Sequence, residues 1–296
     1  YGEKLAKAHG FEDLNAAVRS SRKLEAGARV YANWMGKSFM LFVLGEKPLE
    51  EGMNILGAHI DSPRIDVKQN PLYEDTDLAY LDTHYYGGIK KYQWVAIPLA
   101  LHGVIVRKTG EKVIINIGED ENDPVFCISD LLVHLAQEQM TKNAKEVVEG
   151  EALNLIVGGR PLEGEEKDAV KANVLKLLAD KYGVEEEDFL SAELEIVPAG
   201  KARDMGFDRS MIGSYGQDDR VCSFPALRAL LDHEDVPATT QVVLLADKEE
   251  IGSCGATGMK GAFLRYFFDN IGAPYGIAGH TILSASKCLS ADVTAA

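Results

Sequence analysis

The sequence predicts an α/β fold in which a layered domain is interrupted by a β-rich insertion, and three observations carry that prediction. Two short apolar runs, residues 53–58 and 242–246, have the length of buried strands. Each stops at a polar, metal-capable stretch, His59-Ile60-Asp61-Ser62-Pro63 and Asp247-Lys248-Glu249-Glu250-Ile251-Gly252-Ser253. Between about residues 67 and 201 the character changes, and short β-like runs alternate with Gly, Pro and Asp turns. At 296 residues the chain exceeds one average domain. The expected organisation is a discontinuous α/β domain, 1–66 plus 202–296, around an insertion spanning 67–201.

Taken in order, residues 1–25 read as helix, with Leu5, Phe11, Leu14 and Val18 on one face. Residues 28–44 have β character, and a polar turn over 45–52 leads into the strand that ends at His59. Within the insertion the strand-like runs are 96–106, 112–117, 153–157 and 193–197. Helices are expected over 129–140, with Ser129 as N-cap, and over 168–181. Residues 85–88, Tyr-Tyr-Gly-Gly, read as an aromatic loop. Gln217-Asp218-Asp219-Arg220 then opens an apolar-rich helix over 221–231, where Pro225 is tolerable only near the first turn. That places Asp218 just before a helix N-terminus, where negative charge is favoured. A helix over 259–268 and a last strand-like run ending at Asp292 complete the order.

The net charge of −15 argues against nucleic acid and anionic membranes as partners, since both require clustered Lys and Arg. Cys127, Cys222, Cys254 and Cys288 have no C-x-x-C spacing, so neither a zinc ribbon nor a redox pair is indicated. Cys127 and Cys222 read as buried small hydrophobes. No signal peptide opens the chain and no apolar run reaches transmembrane length, so the expected compartment is the cytoplasm.

Singly, the polar residues fit ordinary roles. His59 suits a core histidine, Asp218 and Asp219 suit helix N-caps, and Asp292 suits a turn. Together they are more informative, because His59, Asp218, Glu250 and Asp292 each lie at or just after the end of an apolar β-like run. In a parallel sheet those ends share one edge, where ligands collect. A mixed imidazole and carboxylate set suits zinc, cobalt or manganese rather than a thiolate site. Two such ions about 3.5–4 Å apart are a standard arrangement for hydrolysing amides and phosphates. Asp218 is the best placed bridging carboxylate, and Asp61 is positioned to fix the His59 tautomer. Glu249, beside Glu250, is free to accept a proton.

These motifs match a known family. The segments Gly57-Ala58-His59-Ile60-Asp61-Ser62-Pro63, Gly216-Gln217-Asp218-Asp219-Arg220, Asp247-Lys248-Glu249-Glu250-Ile251-Gly252-Ser253 and Leu289-Ser290-Ala291-Asp292-Val293 occur in this order. Over most of its length the chain resembles the aspartyl aminopeptidase family of dinuclear zinc exopeptidases. The resemblance implies a three-layer, zinc-exopeptidase-like domain and an insertion that serves dimerisation, with dimers assembling into a dodecamer. It implies that His59 and Asp292 are ligands of one zinc and Glu250 of the other, with Asp218 bridging both. Glu249 would be the general base and Asp61 the partner of His59. In the family a histidine on a helix of the insertion reaches the neighbouring subunit's site. Leu131-Leu132-Val133-His134-Leu135 looks similar, so His134 is the candidate, although it also fits a core helix histidine.

The chain departs from the family pattern at one ligand. The family's fifth ligand is a histidine far beyond the position of Asp292; His280 precedes Asp292 and does not match it. The sequence therefore reads as a piece of a longer enzyme, with one ion well held and the second weakly held. The implied reaction is hydrolytic removal of one N-terminal residue from a peptide with a free amine, with the family name pointing to Asp or Glu. The alternatives are a dinuclear dipeptidase or N-deacylase and an inactive scaffold that keeps the fold.

Overall fold

A computed structural model describes residues 1–20 and 22–294. The chain forms two compact units, Tyr1–Ser62 with Gly216–Ala296, and Pro63–Tyr215. Their borders fall at 62/63 and 215/216 rather than at 66/67 and 201/202. The strand beginning at Arg64 and the hairpin over 203–213 both lie in the second unit.

The first unit opens with α1 (Gly2–Ala8), β1 (Glu12–Asp13) and α2 (Leu14–Arg19). The single helix expected over 1–25 is thus two short ones. Gly10 takes a φ of +77°, a left-handed turn that ends the first, and Asp13 caps the second by accepting from the Asn15 N–H at 2.8 Å. Then come β2 (Arg29–Trp34), β3 (Ser38–Val43) and β4 (Asn54–His59).

The second unit contains β5 (Arg64–Asp75), β6 (Leu78–Tyr86), β7 (Leu99–Val106), β8 (Lys112–Ile117), β9 (Leu155–Gly158), α3 (Ala169–Tyr182) and β10 (Ala192–Pro198). These strands form one antiparallel sheet in the order β8-β7-β10-β5-β6-β9. Ile65, Leu81, Leu101, Leu155 and Ile196 share one core with Val170 and Val174 of α3. A hairpin, β11 (Arg203–Met205) and β12 (Met211–Gly213), closes the unit. Tyr85 and Tyr86, expected in a loop, end β6.

The helix expected over 129–140 does not form; turns and a 3-10 segment at Gln139–Thr141 replace it. Its apolar residues Leu131, Leu132, Val133 and Leu135 are exposed. A short helix in water depends on burying such a face, and propensity alone does not hold it.

Returning to the first unit, the chain adds α4 (Gln217–Leu231), β13 (Gln241–Ala246), α5 (Phe263–Gly272), α6 (Gly279–Ala285) and β14 (Lys287–Ser290). The sheet order is β1-β2-β3-β13-β4-β14, with β13, β4 and β14 parallel and β3 antiparallel to β13. Both faces of its centre are covered, and successive side chains go to opposite layers. Met40, Phe42, Val242 and Leu244 pack with Leu14 of α2, Phe263 and Phe268 of α5 and Ile282 of α6. Phe39, Leu41, Val243 and Leu245 pack with Ala6 of α1 and with Leu227 and Leu231 of α4. The result is a three-layer sandwich. Each fully buried Phe or Leu stabilises it by about 1.5–3 kcal/mol. Among the described residues, no helix is long and apolar enough to cross a membrane.

Candidate metal centre

Three parallel strands end side by side and deliver the site. Ala246, the last residue of β13, is in register with His59, the last of β4. Beyond Ser290 of β14 the ladder continues through the Ala291 N–H to the Gly57 carbonyl at 2.8 Å, which brings Asp292 level with them. The start of α4 is tied to the same edge. Ser62 Oγ donates to the Asp218 carbonyl at 2.7 Å, and Ser223 Oγ donates to the His59 carbonyl at 2.6 Å. Asp218 and Asp219 have non-helical backbones, and the Asp219 Oδ2 accepts from the His59 N–H at 3.3 Å.

His59 is the hub. Its ring is buried, and Nε2 lies 3.0 Å from Asp218 Oδ1, 3.8 Å from Asp292 Oδ1 and 3.9 Å from Glu249 Oε2. Nδ1 is 3.0 Å from the Asp61 carbonyl and 3.4 Å from Asp61 Oδ1. A proton on Nδ1 that donates to Asp61 leaves Nε2 as a bare lone pair facing the carboxylates. Asp61 has a second role that the sequence did not reveal. Its two carboxylate oxygens accept the N–H groups of Glu249 at 3.0 Å and Glu250 at 3.2 Å. The glutamate turn is held further by Lys248 at φ +64° and by the Ser253 N–H to Lys248 carbonyl bond at 2.7 Å. Beneath it, buried Asp247 accepts from Thr257 Oγ1, and its N–H donates to Ser38 Oγ at 3.1 Å.

The electrostatics show excess negative charge. Burial pulls His59 toward its neutral form, yet the Asp61 carboxylate and carbonyl, then Asp219 and Glu249, outweigh it and hold the ring above its ordinary value. Glu250 is pushed up to about 7, first by burial and then by the Asp218 charge. The Cys222 thiol is pushed up to about 11, first by the Asp219 carboxylate beside it and then by burial.

The residues fit a divalent metal. Asp218 Oδ1 and Asp219 Oδ1 are shielded from solvent and have no hydrogen-bond partner. Buried carboxylate oxygens without partners carry a large desolvation cost that a cation removes. Among the described residues, ligand-capable atoms lie within 4.8 Å of one another in three sets: His59, Glu249 and Asp292; His59, Asp218 and Glu250; and Asp218, Asp219 and Asp292. One imidazole with carboxylates is a donor set suited to zinc, cobalt or manganese.

The structure therefore brings His59, Asp61, Asp218, Glu249, Glu250 and Asp292 together in the first unit. His134 is not in this cluster. It belongs to the second unit, exposed in the turn segment that replaces the expected helix, beside a groove of about 870 Å³ that Asp130 and Glu138 also line. Sequence reasoning missed the hydroxyl ties of Ser62 and Ser223 and the burial of Asp219. The adjacent Asp218-Asp219 pair was the one available signal, and it reads equally as an N-cap.

Comparison with known proteins gives a consistent picture. The model of the family described as aminopeptidase I zinc metalloprotease (M18) matches residues 1–296. The probable M18 family aminopeptidase 1 of Clostridium acetobutylicum is 54 % identical over 298 aligned residues, covering 99 % of this chain and 64 % of that protein. The crystal structure of aminopeptidase I from the same organism is 53 % identical with a TM-score of 0.89, covering 100 % of this chain and 65 % of the other. An M18 aminopeptidase crystal structure from Thermotoga maritima superposes with a TM-score of 0.91 at 44 % identity and the same two coverages. The chain thus spans just under two thirds of the length of these relatives.

Proposed function

This chain belongs to the aminopeptidase I zinc metalloprotease family, M18, and from that premise we propose that it carries most of a dinuclear metal centre that removes single N-terminal residues from peptides. The observation that supports this reading best is the unbonded approach of His59 Nε2 to Asp218 Oδ1, ringed by Glu249, Glu250 and Asp292. In the proposed site His59 and Asp292 would hold one ion and Glu250 would help to hold the other, with Asp218 available to both. Bound there, the metal supplies Lewis acidity toward the scissile carbonyl and the attacking water. Glu249, half-exposed at the rim, takes the water's proton and returns it to the leaving amine. Asp61 holds the ring tautomer of His59 and, through the Glu249 and Glu250 N–H groups, the position of both glutamates.

We assign the first unit as catalytic. The second unit is assigned as a self-association module, with His134 supplied to a partner subunit's site in a dimer that builds a larger oligomer. The substrate is a peptide with a free α-amine, with Asp or Glu at its N-terminus as the first candidates. The test is an assay of the metal-loaded, full-length protein on a panel of aminoacyl substrates and their N-acetylated counterparts. An aminopeptidase cleaves the free-amine set and fails on the blocked set; the reverse preference would identify an N-deacylase.

A further inference from the structure

Asp219 is the most deeply buried carboxylate at the site, with none of its surface exposed. Its Oδ2 accepts the His59 N–H at 3.3 Å, which ties the end of β4 to the start of α4. Its Oδ1 is shielded from solvent and has no hydrogen-bond partner. A helix cap or structural tie accounts for the first oxygen, and the Cys222 thiol beside the carboxylate, a weak and uncharged donor, does not balance the charge of the second. Ligand-capable atoms of Asp218, Asp219 and Asp292 lie within 4.8 Å of one another. The unpartnered oxygen therefore sits beside two carboxylates already assigned to the metal centre. Three like charges in such a space oppose one another unless a cation lies among them.

We propose that Asp219 is a positioning residue of the metal centre: one oxygen fixes the main chain of His59, and the other supplies charge matched to a divalent cation at the Asp218–Asp292 end. The proposal rests on the metal-centre reading above. It makes two consequences of one substitution run in opposite directions. Asp219→Asn keeps an oxygen for the His59 N–H and nearly the same volume, but it removes the charge. Without metal the substitution relieves a buried, crowded anion, so the protein loses no stability. With metal it removes part of what holds the cation.

The test uses the full-length protein, stripped with chelator and then titrated with Zn²⁺ or Co²⁺ by calorimetry. The Co²⁺ visible spectrum and the melting temperature of the metal-free form are recorded in parallel. Asp219→Asn should weaken the tighter cation by about tenfold or more, the scale of losses in groups that support ligands. It should also alter the Co²⁺ spectrum and leave the metal-free melting temperature equal to or above that of the wild type. Unchanged affinity and spectrum, with a lowered metal-free melting temperature, would reduce Asp219 to a structural tie and overturn the proposal. Should Asp219→Asn not fold, Asp219→Ser, which keeps a shorter, uncharged acceptor on the same residue, is titrated under the same two outcomes. A wild-type protein that binds neither cation overturns the metal-centre reading itself, whereas wild-type binding with an unaffected variant overturns this inference alone.

Discussion

His59 Nε2 and Asp218 Oδ1 face each other at 3.0 Å, and no hydrogen bond joins them. In the neutral ring whose Nδ1–H is directed at Asp61, both atoms present lone pairs to the same point. Two acceptors at that distance repel unless a positive charge lies between or beside them. The ring of carboxylates around them makes a proton a poor substitute for a divalent ion, since one positive charge leaves most of the negative charge unbalanced.

Asp218→Asn is expected to release bound metal from the full-length protein. If Asp218 bridges two ions as proposed, metal content by elemental analysis should fall well below that of the wild type. Retention of two ions per chain would remove Asp218 from the ligand set.

Glu249→Gln is expected to retain the metal and lose about 10²–10⁴-fold in kcat, the usual worth of a general base. Glu250→Gln should instead lower metal content. Metal analysis beside steady-state kinetics separates the two, and a Glu249→Gln enzyme with normal turnover would transfer the base role elsewhere.

Asp61→Asn keeps the size of the side chain but replaces one acceptor of the Glu249 and Glu250 N–H groups with a donor. Metal affinity should fall by about 10–100-fold while the far-ultraviolet circular dichroism stays unchanged. An affinity within twofold of the wild type would mean that the glutamate turn holds itself.

In the metal-free protein, stability should fall as pH rises. Glu250 has an ordinary value near 4.5 and is pushed up to about 7, so the fold prefers its protonated form. That contribution is fully present below about pH 4.5 and is lost as pH rises through about 7. His59, also raised, acts in the same direction, because the charged ring favoured by Asp61 is lost as pH rises. Melting temperatures of chelator-treated protein from about pH 5 to about pH 8 should therefore decline, and saturating Zn²⁺ should abolish the trend. A flat or rising profile without metal would contradict the assignment of these shifts.

Much of the site is legible in the sequence, because a parallel sheet converts strand ends into neighbours. His59, Glu250 and Asp292 each follow a short apolar run, and β4, β13 and β14 do lie side by side. Asp219 was not legible, since its burial follows from non-helical backbone at the start of α4 and not from any periodic pattern. The link from Asp61 to the glutamate turn joins residues 188 and 189 positions apart, a tertiary contact without a local signature. Strands β5 and β6 are masked in the sequence because Asp66, Lys68 and Glu74 in β5 and Asp82 in β6 interrupt the apolar alternation. The segment over 129–140 has helical spacing but nothing among the described residues to bury its leucines.

The most direct measurement is anomalous X-ray scattering at the zinc absorption edge from crystals of the zinc-loaded, full-length protein. An anomalous peak is expected about 2.0–2.2 Å from both His59 Nε2 and a carboxylate oxygen of Asp218. Zinc bound elsewhere, with no peak between those two side chains, would contradict the proposed metal centre.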